Sequence, residues 1–216
     1  MTMSPWDESY AAKAGLRWWP ETELVRFLGS TYGEMHDLPA RGKTAVDLGC
    51  GTGRNILALS SWGFTTIGGD ASLYAVMSAA EYLKSWVLDG EPRWSLSQHV
   101  LPERVPVADR SVDLVVDVQT MQHLDADNHQ RAYQEVARIL KRGGHFFTMH
   151  WCEGDSEKLY AGRYPELREW PLSELGPMIE NCGFERGKLM LTSRATLGEE
   201  DERLFASWYC MSWRKS

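Results

Sequence analysis

The stretch AVDLGCGTGRN, from Ala45 to Asn55, places three glycines at every second position directly after a run of apolar residues. Glycine loses more backbone freedom on folding than any other residue, so it weakens ordered structure unless the position requires it. Gly49, Gly51 and Gly53 therefore predict a loop that a ligand approaches closely. The apolar run before the loop and the helix-like residues after it predict a strand–loop–helix unit.

Strand-like and helix-like segments alternate on both sides of this loop. The predicted strands are 44–48, 64–70, 93–100, 112–118 and 145–151, and the predicted helices are 54–62, 72–87 and 128–141. Gly143 and Gly144 are predicted to end the last of these helices. This alternation predicts an α/β fold with a doubly wound, mostly parallel sheet and helices on both of its faces.

The remaining segments are predicted to surround this unit within one domain, residues 1–216. Residues 17–28 read as an added helix with Pro20 in its first turn, so residues 1–40 are interpreted as an N-terminal helical cap. The polar, turn-rich residues 152–172 are interpreted as a lid on the acceptor side. A helix over 171–184 closed by Gly183, and two strands at 188–196 and 204–213, complete the prediction.

Composition and charge restrict the possible partners. The chain has 216 residues and a formal net charge of −7, with no block of Lys and Arg, which disfavours nucleic acid as a partner. No apolar run is long enough for a membrane span and no secretory signal pattern is present, so no membrane association and a cytoplasmic location are expected. The scattered cysteines and histidines lack metal-ligand spacing, so no metal site is expected. The oligomeric state is left open.

The glycine loop must be distinguished from a nicotinamide-binding loop. The dinucleotide fingerprint is G-x-G-x-x-G, and here Arg54 stands where its third glycine belongs. Asp47 lies two residues before Gly49, where its charge would face a pyrophosphate unfavourably. A carboxylate at that point instead suits a ligand that carries an ammonium group.

Four segments together resemble class I S-adenosylmethionine-dependent methyltransferases. VDLGCGTG and GGDAS resemble the first two motifs of that family, and VPVADRSVDLVVDVQTMQHL and VARILKRGGHFFTMHW resemble its later motifs. The resemblance covers about residues 44–151. It implies a seven-stranded sheet whose last strand is antiparallel, and S-adenosylmethionine as the cofactor, leaving S-adenosylhomocysteine as the product.

The resemblance also implies roles for individual residues around the cofactor. Asp47 is expected to orient the amino group of the cofactor, and Asp70 to accept hydrogen bonds from both ribose hydroxyls. Asp70 could alternatively act only as an acid before the helix that Ser72 caps. The other expected cofactor contacts are the backbone of Gly49, Cys50 and Gly51, Ala71 after the second strand, and Asp117, Val118 and Gln119 after the fourth strand.

The adenine contact departs from the family pattern. Relatives commonly carry an aspartate after the third strand, whereas this segment reads SLSQHVLPERVPVADRS, without an acid at the corresponding place. Gln98, His99 or backbone atoms are the alternatives for binding the adenine amino group.

Two histidines are candidates for a general base, and the variable segments are candidates for binding the acceptor. His150 and His123 both follow strands whose carboxyl ends face the predicted cleft, although either could be a merely structural histidine. A base is needed if the acceptor is a hydroxyl, but not for a neutral amine or a thiolate. The expected acceptor is a smallish, partly apolar molecule, contacted by Trp18, Trp19, Tyr160, Arg163 and Tyr164.

Several other functions stay open on the sequence alone. The chain could bind S-adenosylmethionine without catalysis, or support a partner as a subunit. It could methylate protein or RNA, although its acidic charge disfavours RNA. An aminopropyl transferase and a nicotinamide oxidoreductase are weaker alternatives, because the sequence shows neither a polyamine-binding acidic pattern nor the dinucleotide glycine spacing.

Overall fold

Seven strands form one sheet in the computed structural model, which describes residues 5–12, 19–86, 93–151, 170–197 and 203–216. The strands are β1 Thr44–Leu48, β2 Thr65–Asp70, β3 Trp94–Gln98, β4 Val112–Val118, β5 Leu140–Trp151, β6 Phe184–Leu197 and β7 Arg203–Lys215. Their order across the sheet is β3-β2-β1-β4-β5-β7-β6. Strands β1 to β5 run parallel, and β7 lies antiparallel between β5 and β6. The predicted fold class is confirmed.

Helices flank the sheet in the order that the alternation predicts. They are α1 Pro5–Ala11, α2 Thr22–Tyr32, α3 Arg54–Ser61, α4 Leu73–Lys84, α5 Ala126–Ile139 and α6 Leu172–Glu180. Short 3-10 turns lie at Met35–Asp37 and Met121–His123. No helix among the described residues is both long and apolar enough to span a membrane.

Strand β4 shows why both faces of the sheet are covered. Leu114, Val116 and Val118 pack into a core with α2 and α3, whereas Val115 packs into a second core with α5 and α6. Successive side chains of a strand point to opposite faces, so a continuous apolar run requires helices on both sides. This arrangement holds β4 rigidly at the centre of the molecule.

The structure corrects two predicted helix ends. Helix α2 begins at Thr22, with Glu21 as its N-cap, so Pro20 precedes the helix instead of lying in its first turn. Gly143 does not end α5, because the chain is already extended at Leu140, which pairs with Val112. Gly143 and its neighbour Gly144 lie inside β5, where Gly143 has a φ of 75° and the pairing with β4 shifts register. Glycine is the residue that takes this left-handed conformation without strain.

The sheet topology determines where a ligand can bind. Strand β1 has β2 on one side and β4 on the other, so the chain connections from β1 and β4 leave in opposite directions. Ligands of open α/β sheets bind outside the carboxyl ends of the strands at such a switch point. The glycine loop after β1 lies at this position.

Candidate active site

The glycine loop adopts a conformation that only glycine takes readily. Gly49, Gly51 and Gly53 have φ angles of 66°, 53° and 80°, all in the left-handed region. A side chain at Gly49 would also overlap the side chain of Thr120, which follows β4. The alternating glycines are therefore required both by backbone conformation and by the close approach of the next strand's loop.

Three of the loop's backbone amides already have partners within the protein, and that of Gly53 donates to the carbonyl of Cys50 over 2.9 Å. The amide of Cys50 donates to the carbonyl of Gly69 over 3.0 Å, and the amide of Gly51 donates to Asp70 Oδ2 over 2.9 Å. The Cys50 thiol is buried and its pKa is raised well above the usual value by burial. Cys50 thus fills space behind the loop, and contact of these amides with a cofactor stays a prediction.

Asp47 is a buried carboxyl group without a hydrogen-bond partner in the described part of the chain. The residue is 1% exposed, and neither of its side-chain oxygens is hydrogen-bonded. Burial raises its pKa to about 8; the positive charge of Arg54 lowers it, and the negative charges of Asp117 and Asp70 raise it further. A buried carboxyl group without a donor is costly, and a ligand that supplied a donor would remove that cost; contact of Asp47 with a cofactor stays a prediction.

Asp70 connects the glycine loop to the start of α4. Its Oδ2 accepts the hydrogen bond from Gly51 and its Oδ1 accepts one from the amide of Ser72, over 2.9 Å. The Ser72 hydroxyl in turn caps α4 by accepting from the amide of Ala75. Burial raises the pKa of Asp70 despite these two bonds. The predicted cap is confirmed, and the ribose contact stays a prediction.

Helix α1 covers the glycine loop, and the sequence reasoning missed it. The Asp7 carboxylate accepts a hydrogen bond of 2.6 Å from the Ser72 hydroxyl. The Trp6 ring lies 4.7 Å from the His123 ring, and the Tyr10 hydroxyl lies 2.7 Å from the point that a side chain on Gly51 would occupy. The signal in the sequence was the spacing 6, 7 and 10, which places these residues on one helical face.

The predicted adenine region lies at the end of β3, next to β2. Gln98 is exposed, and its side-chain amide donates to the carbonyl of Ala71 over 2.9 Å. His99 is half-buried, its Nε2 has no hydrogen-bond partner, and burial lowers its pKa. The amide of His99 donates to the carbonyl of Asp70. Gln98 and His99 therefore lie next to Ala71 and Asp70, and their contact with adenine stays a prediction.

The three residues predicted as cofactor contacts at the end of β4 have different surroundings. Asp117 is fully buried and accepts hydrogen bonds from the amides of Thr120 and Met121, so its carboxylate holds the loop after β4. Val118 is a core residue. Gln119 has a φ of 64° and its amide donates to the carbonyl of Met149, which turns the chain out of the sheet. Their contact with the methionine end of a cofactor stays a prediction.

The two candidate bases differ in their surroundings. His123 is half-buried beneath Trp6, and burial lowers its pKa to about 4, so its imidazole is neutral near pH 7. His150 is fully buried near the end of β5, with its Nε2 3.3 Å from Asp117 Oδ2 and 3.2 Å from the Tyr133 hydroxyl. The two histidines thus reach the same end of the sheet, from the loop after β4 and from β5.

The predicted acceptor residues lie mostly outside the described residues. Trp18, Tyr160, Arg163 and Tyr164 belong to that group, as does most of the predicted lid 152–172. Trp19 is described: it is 73% exposed and its ring lies 6.4 Å from that of Trp86. Within the described ranges, no group of three or more His, Cys, Asp or Glu side chains is arranged to hold a metal ion.

Comparison with known proteins relates this site to methyltransferases. A family profile described as a methyltransferase domain matches residues 46–148, which include the glycine loop, Asp70 and His123 but not His150. The chain contains a methyltransferase domain and has the Rossmann-like fold of S-adenosylmethionine-dependent methyltransferases. No curated protein sequence matches this methyltransferase at the threshold applied.

Solved structures share the fold of this methyltransferase at low sequence identity. An S-adenosylmethionine-dependent methyltransferase from Methanosarcina mazei is 20% identical, with a TM-score of 0.65 over 84% of this chain and 96% of the other. Magnesium protoporphyrin IX methyltransferase from Synechocystis PCC 6803, solved with bound S-adenosylhomocysteine, is 15% identical, with a TM-score of 0.67 over 90% and 81%. A Haloferax volcanii putative methyltransferase in complex with the Trm112 activator is 19% identical, with a TM-score of 0.68 over the full length of both chains.

Proposed function

We propose that this enzyme transfers the methyl group of S-adenosylmethionine to a small-molecule acceptor, with the cofactor bound over the glycine loop. The observation that carries the proposal is Asp47, a buried carboxyl group that lacks a hydrogen-bond donor beside a left-handed glycine loop. The cofactor's ammonium group supplies donors and a positive charge of the kind that such a carboxylate requires. The pyrophosphate of a dinucleotide supplies neither, which argues against a nicotinamide enzyme.

The protein's part in the reaction is to hold and orient the cofactor and the acceptor. Asp47 would bind the amino group of the cofactor, and Asp70 would bind its ribose. The backbone of Gly49 and Gly51 would contact its methionine chain. Gln98 or His99 would contact the adenine. When bound, the cofactor supplies a methyl group on a positively charged sulfur, whose departure needs no proton. Most of the rate enhancement then comes from holding the acceptor in line with the bond that breaks, an effect that can reach about 7–11 kcal/mol.

Two features favour a small acceptor over a macromolecule: helix α1 over the glycine loop, and the negative net charge of the chain. Helix α1 lies directly on the glycine loop through Tyr10 and on the start of α4 through Asp7. A cofactor beneath this helix is shielded on one side, which suits an enclosed acceptor site. The net charge of −7 opposes the phosphate contacts on which RNA binding depends.

Calorimetry with the purified protein tests the cofactor assignment. We expect S-adenosylmethionine and S-adenosylhomocysteine to bind one site per chain and NAD to bind negligibly. Preferential binding of NAD would refute the assignment. A screen of small hydroxyl, amine and thiol compounds for release of S-adenosylhomocysteine then identifies the acceptor class.

A second candidate function has one observation in its favour. The Haloferax volcanii structure pairs a putative methyltransferase of the same fold with an activator protein. A chain that needs such a partner would bind the cofactor alone but turn over only in the complex. Turnover by the isolated chain on any small acceptor decides against this alternative.

A further inference from the structure

A buried polar network joins β4, β5 and α5 at the end of the sheet where the glycine loop lies. Asp117 Oδ2 accepts a hydrogen bond of 2.6 Å from the Thr148 hydroxyl and lies 3.3 Å from His150 Nε2. The Tyr133 hydroxyl lies 3.2 Å from that same Nε2 and 3.1 Å from Nε2 of His129. All five side chains are buried, so water does not enter this arrangement as a substitute partner.

The donors around Asp117 determine which nitrogen of His150 carries the proton. Burial raises the pKa of Asp117, but hydrogen bonds from His150 and Thr148 outweigh burial and hold the pKa below its usual value. The carboxylate is therefore ionised and only accepts hydrogen bonds. His150 Nε2 lies 3.3 Å from this acceptor-only carboxylate, which favours a proton on Nε2 over a lone pair there. The Tyr133 oxygen can then accept from His150 and donate its own proton to His129.

With the proton on Nε2, the other ring nitrogen of His150 presents a bare lone pair. Nδ1 of His150 is buried and has no hydrogen-bond partner among the residues that the structure describes. A buried acceptor without a donor costs about 1–3 kcal/mol, so the position is explained if a ligand supplies the donor. His150 lies at the carboxyl end of β5, the end of the sheet at which ligands of this fold bind.

We propose that Asp117 is a positioning residue that holds His150 in its Nε2–H tautomer, so that Nδ1 accepts the proton of a hydroxyl acceptor. The inference rests on the proposed methyltransferase function and narrows the acceptor to a hydroxyl compound. As the acceptor oxygen bonds to the methyl carbon, the electron pair of the broken carbon–sulfur bond stays on sulfur. The hydroxyl proton passes to Nδ1, and the Asp117 carboxylate stabilises the imidazolium until the proton leaves to solvent.

Titratable groups from three other elements surround His150. Among the described residues, the titratable groups that face His150 are Asp117 from β4, His123 from the 3-10 turn, and His129 and Tyr133 from α5. His123, with a pKa of about 4, is uncharged at neutral pH and adds no opposing charge there.

Nitrogen-15 NMR of the histidine rings tests the tautomer without cofactor or acceptor. The His150 signals are assigned by comparison with His150→Gln. The wild-type protein should show a protonated Nε2 and an unprotonated Nδ1. Asp117→Asn is the decisive variant, because its Oδ1 can still accept the amides of Thr120 and Met121 while its Nδ2 becomes a donor toward His150. This variant should invert the tautomer.

Tyr133→Phe is the matched control, because it removes the other neighbour of Nε2 and keeps the carboxylate. Its tautomer should match the wild type. Asp117→Asn should lower turnover about 10⁴-fold, as the wrong tautomer does in a serine-protease triad.

A wild-type His150 protonated on Nδ1, or inversion in Tyr133→Phe but not in Asp117→Asn, would overturn the inference. If Asp117→Asn does not fold, the wild-type spectrum alone decides which nitrogen of His150 carries the proton. If instead the proposed function is wrong, the protein will not bind the cofactor, whichever tautomer His150 adopts. The two failures are thereby distinguished.

Discussion

The carboxyl group of Asp47 is buried with neither oxygen hydrogen-bonded, and its pKa of about 8 leaves it protonated at pH 7 without ligand. A bound ammonium group would favour the ionised form and release the proton. We therefore expect cofactor binding at pH 7 to release about one proton, and affinity to rise with pH up to about 8. Calorimetry in two buffers of different ionisation enthalpy measures this release. The same release in Asp47→Asn would show that it comes from another group.

Asp47 also affects the stability of the ligand-free protein. Its folded pKa is raised above the unfolded value of 3.8, so its contribution to stability is present below pH 4 and is lost as the pH rises through 8. Asp47→Asn should remove this loss and raise the free energy of unfolding at pH 8 by roughly 1–3 kcal/mol while weakening cofactor binding. Urea titrations of both proteins at pH 4 and pH 8 give the difference. A variant less stable than wild type at pH 8 would contradict the prediction.

Asp70 is the residue on which ribose recognition is expected to depend. Asp70→Ala removes charge-assisted hydrogen bonds of about 1.5–3 kcal/mol, which corresponds to a loss of roughly tenfold to a hundredfold in cofactor affinity. The loss should include the effect of releasing the amide of Gly51. Asp127→Ala, at an exposed position in the first turn of α5, is the matched control. Equal affinities of the two variants would place the ribose acid elsewhere.

At the scale of secondary-structure elements, α1 is the part of the cap that touches the site. Trp6 packs on His123, and Tyr10 lies against Gly51, so a cofactor over the loop would be held beneath this helix. The double variant Trp6→Ala and Tyr10→Ala should speed cofactor dissociation by roughly tenfold or more, since each aromatic contact contributes about 0.5–1.5 kcal/mol. Stopped-flow displacement measures the rate. Glu8→Ala, exposed on the same helix, is the control and should leave it unchanged.

The elements show what a sequence can and cannot predict. Strand β4 was predicted with its observed bounds, because a continuous apolar run buried on both faces gives an unambiguous local signal. Helix α1 was missed, because Trp6, Asp7 and Tyr10 are positioned by contacts with residues far along the chain. Gly143 was misread as a helix end, since a left-handed glycine serves equally at a helix end and at an irregularity within a strand.

The candidate site divides in the same way. Asp47 lies within the motif VDLGCGTG and Asp70 within GGDAS, so their positions near the glycine loop could be predicted. The link from Asp117 through His150 to Tyr133 could not be predicted, because it joins β4, β5 and α5 through side-chain geometry. Spacing in the sequence carries no information about which nitrogen of a histidine meets a carboxylate.

At the scale of the whole molecule, cofactor binding and unfolding should be coupled. One sheet runs through the described part of the chain, so the residues around the cofactor and the strands should unfold together. S-adenosylhomocysteine at a concentration about a hundred times its Kd should add about 2.7 kcal/mol to the free energy of unfolding. This raises the melting temperature by roughly 5–10 °C. Calorimetric scans measure the shift, with NAD as the control ligand. Two unfolding transitions, of which only one shifts, would contradict the prediction of a single domain.

The position of β7 within the sheet has a consequence for synthesis of the protein on the ribosome. Strand β7 lies between β5 and β6, yet it is the last of the seven to be made. About 50 residues separate Trp151 at the end of β5 from the start of β7, so translation leaves the β5 edge unpaired for roughly 3–10 seconds. During that interval the nascent chain exposes the backbone edge beside Phe146 and Met149, to which the β-strand of another chain could add. The yield of folded enzyme should therefore depend on how quickly the ribosome passes this interval and on chaperones that shield the edge.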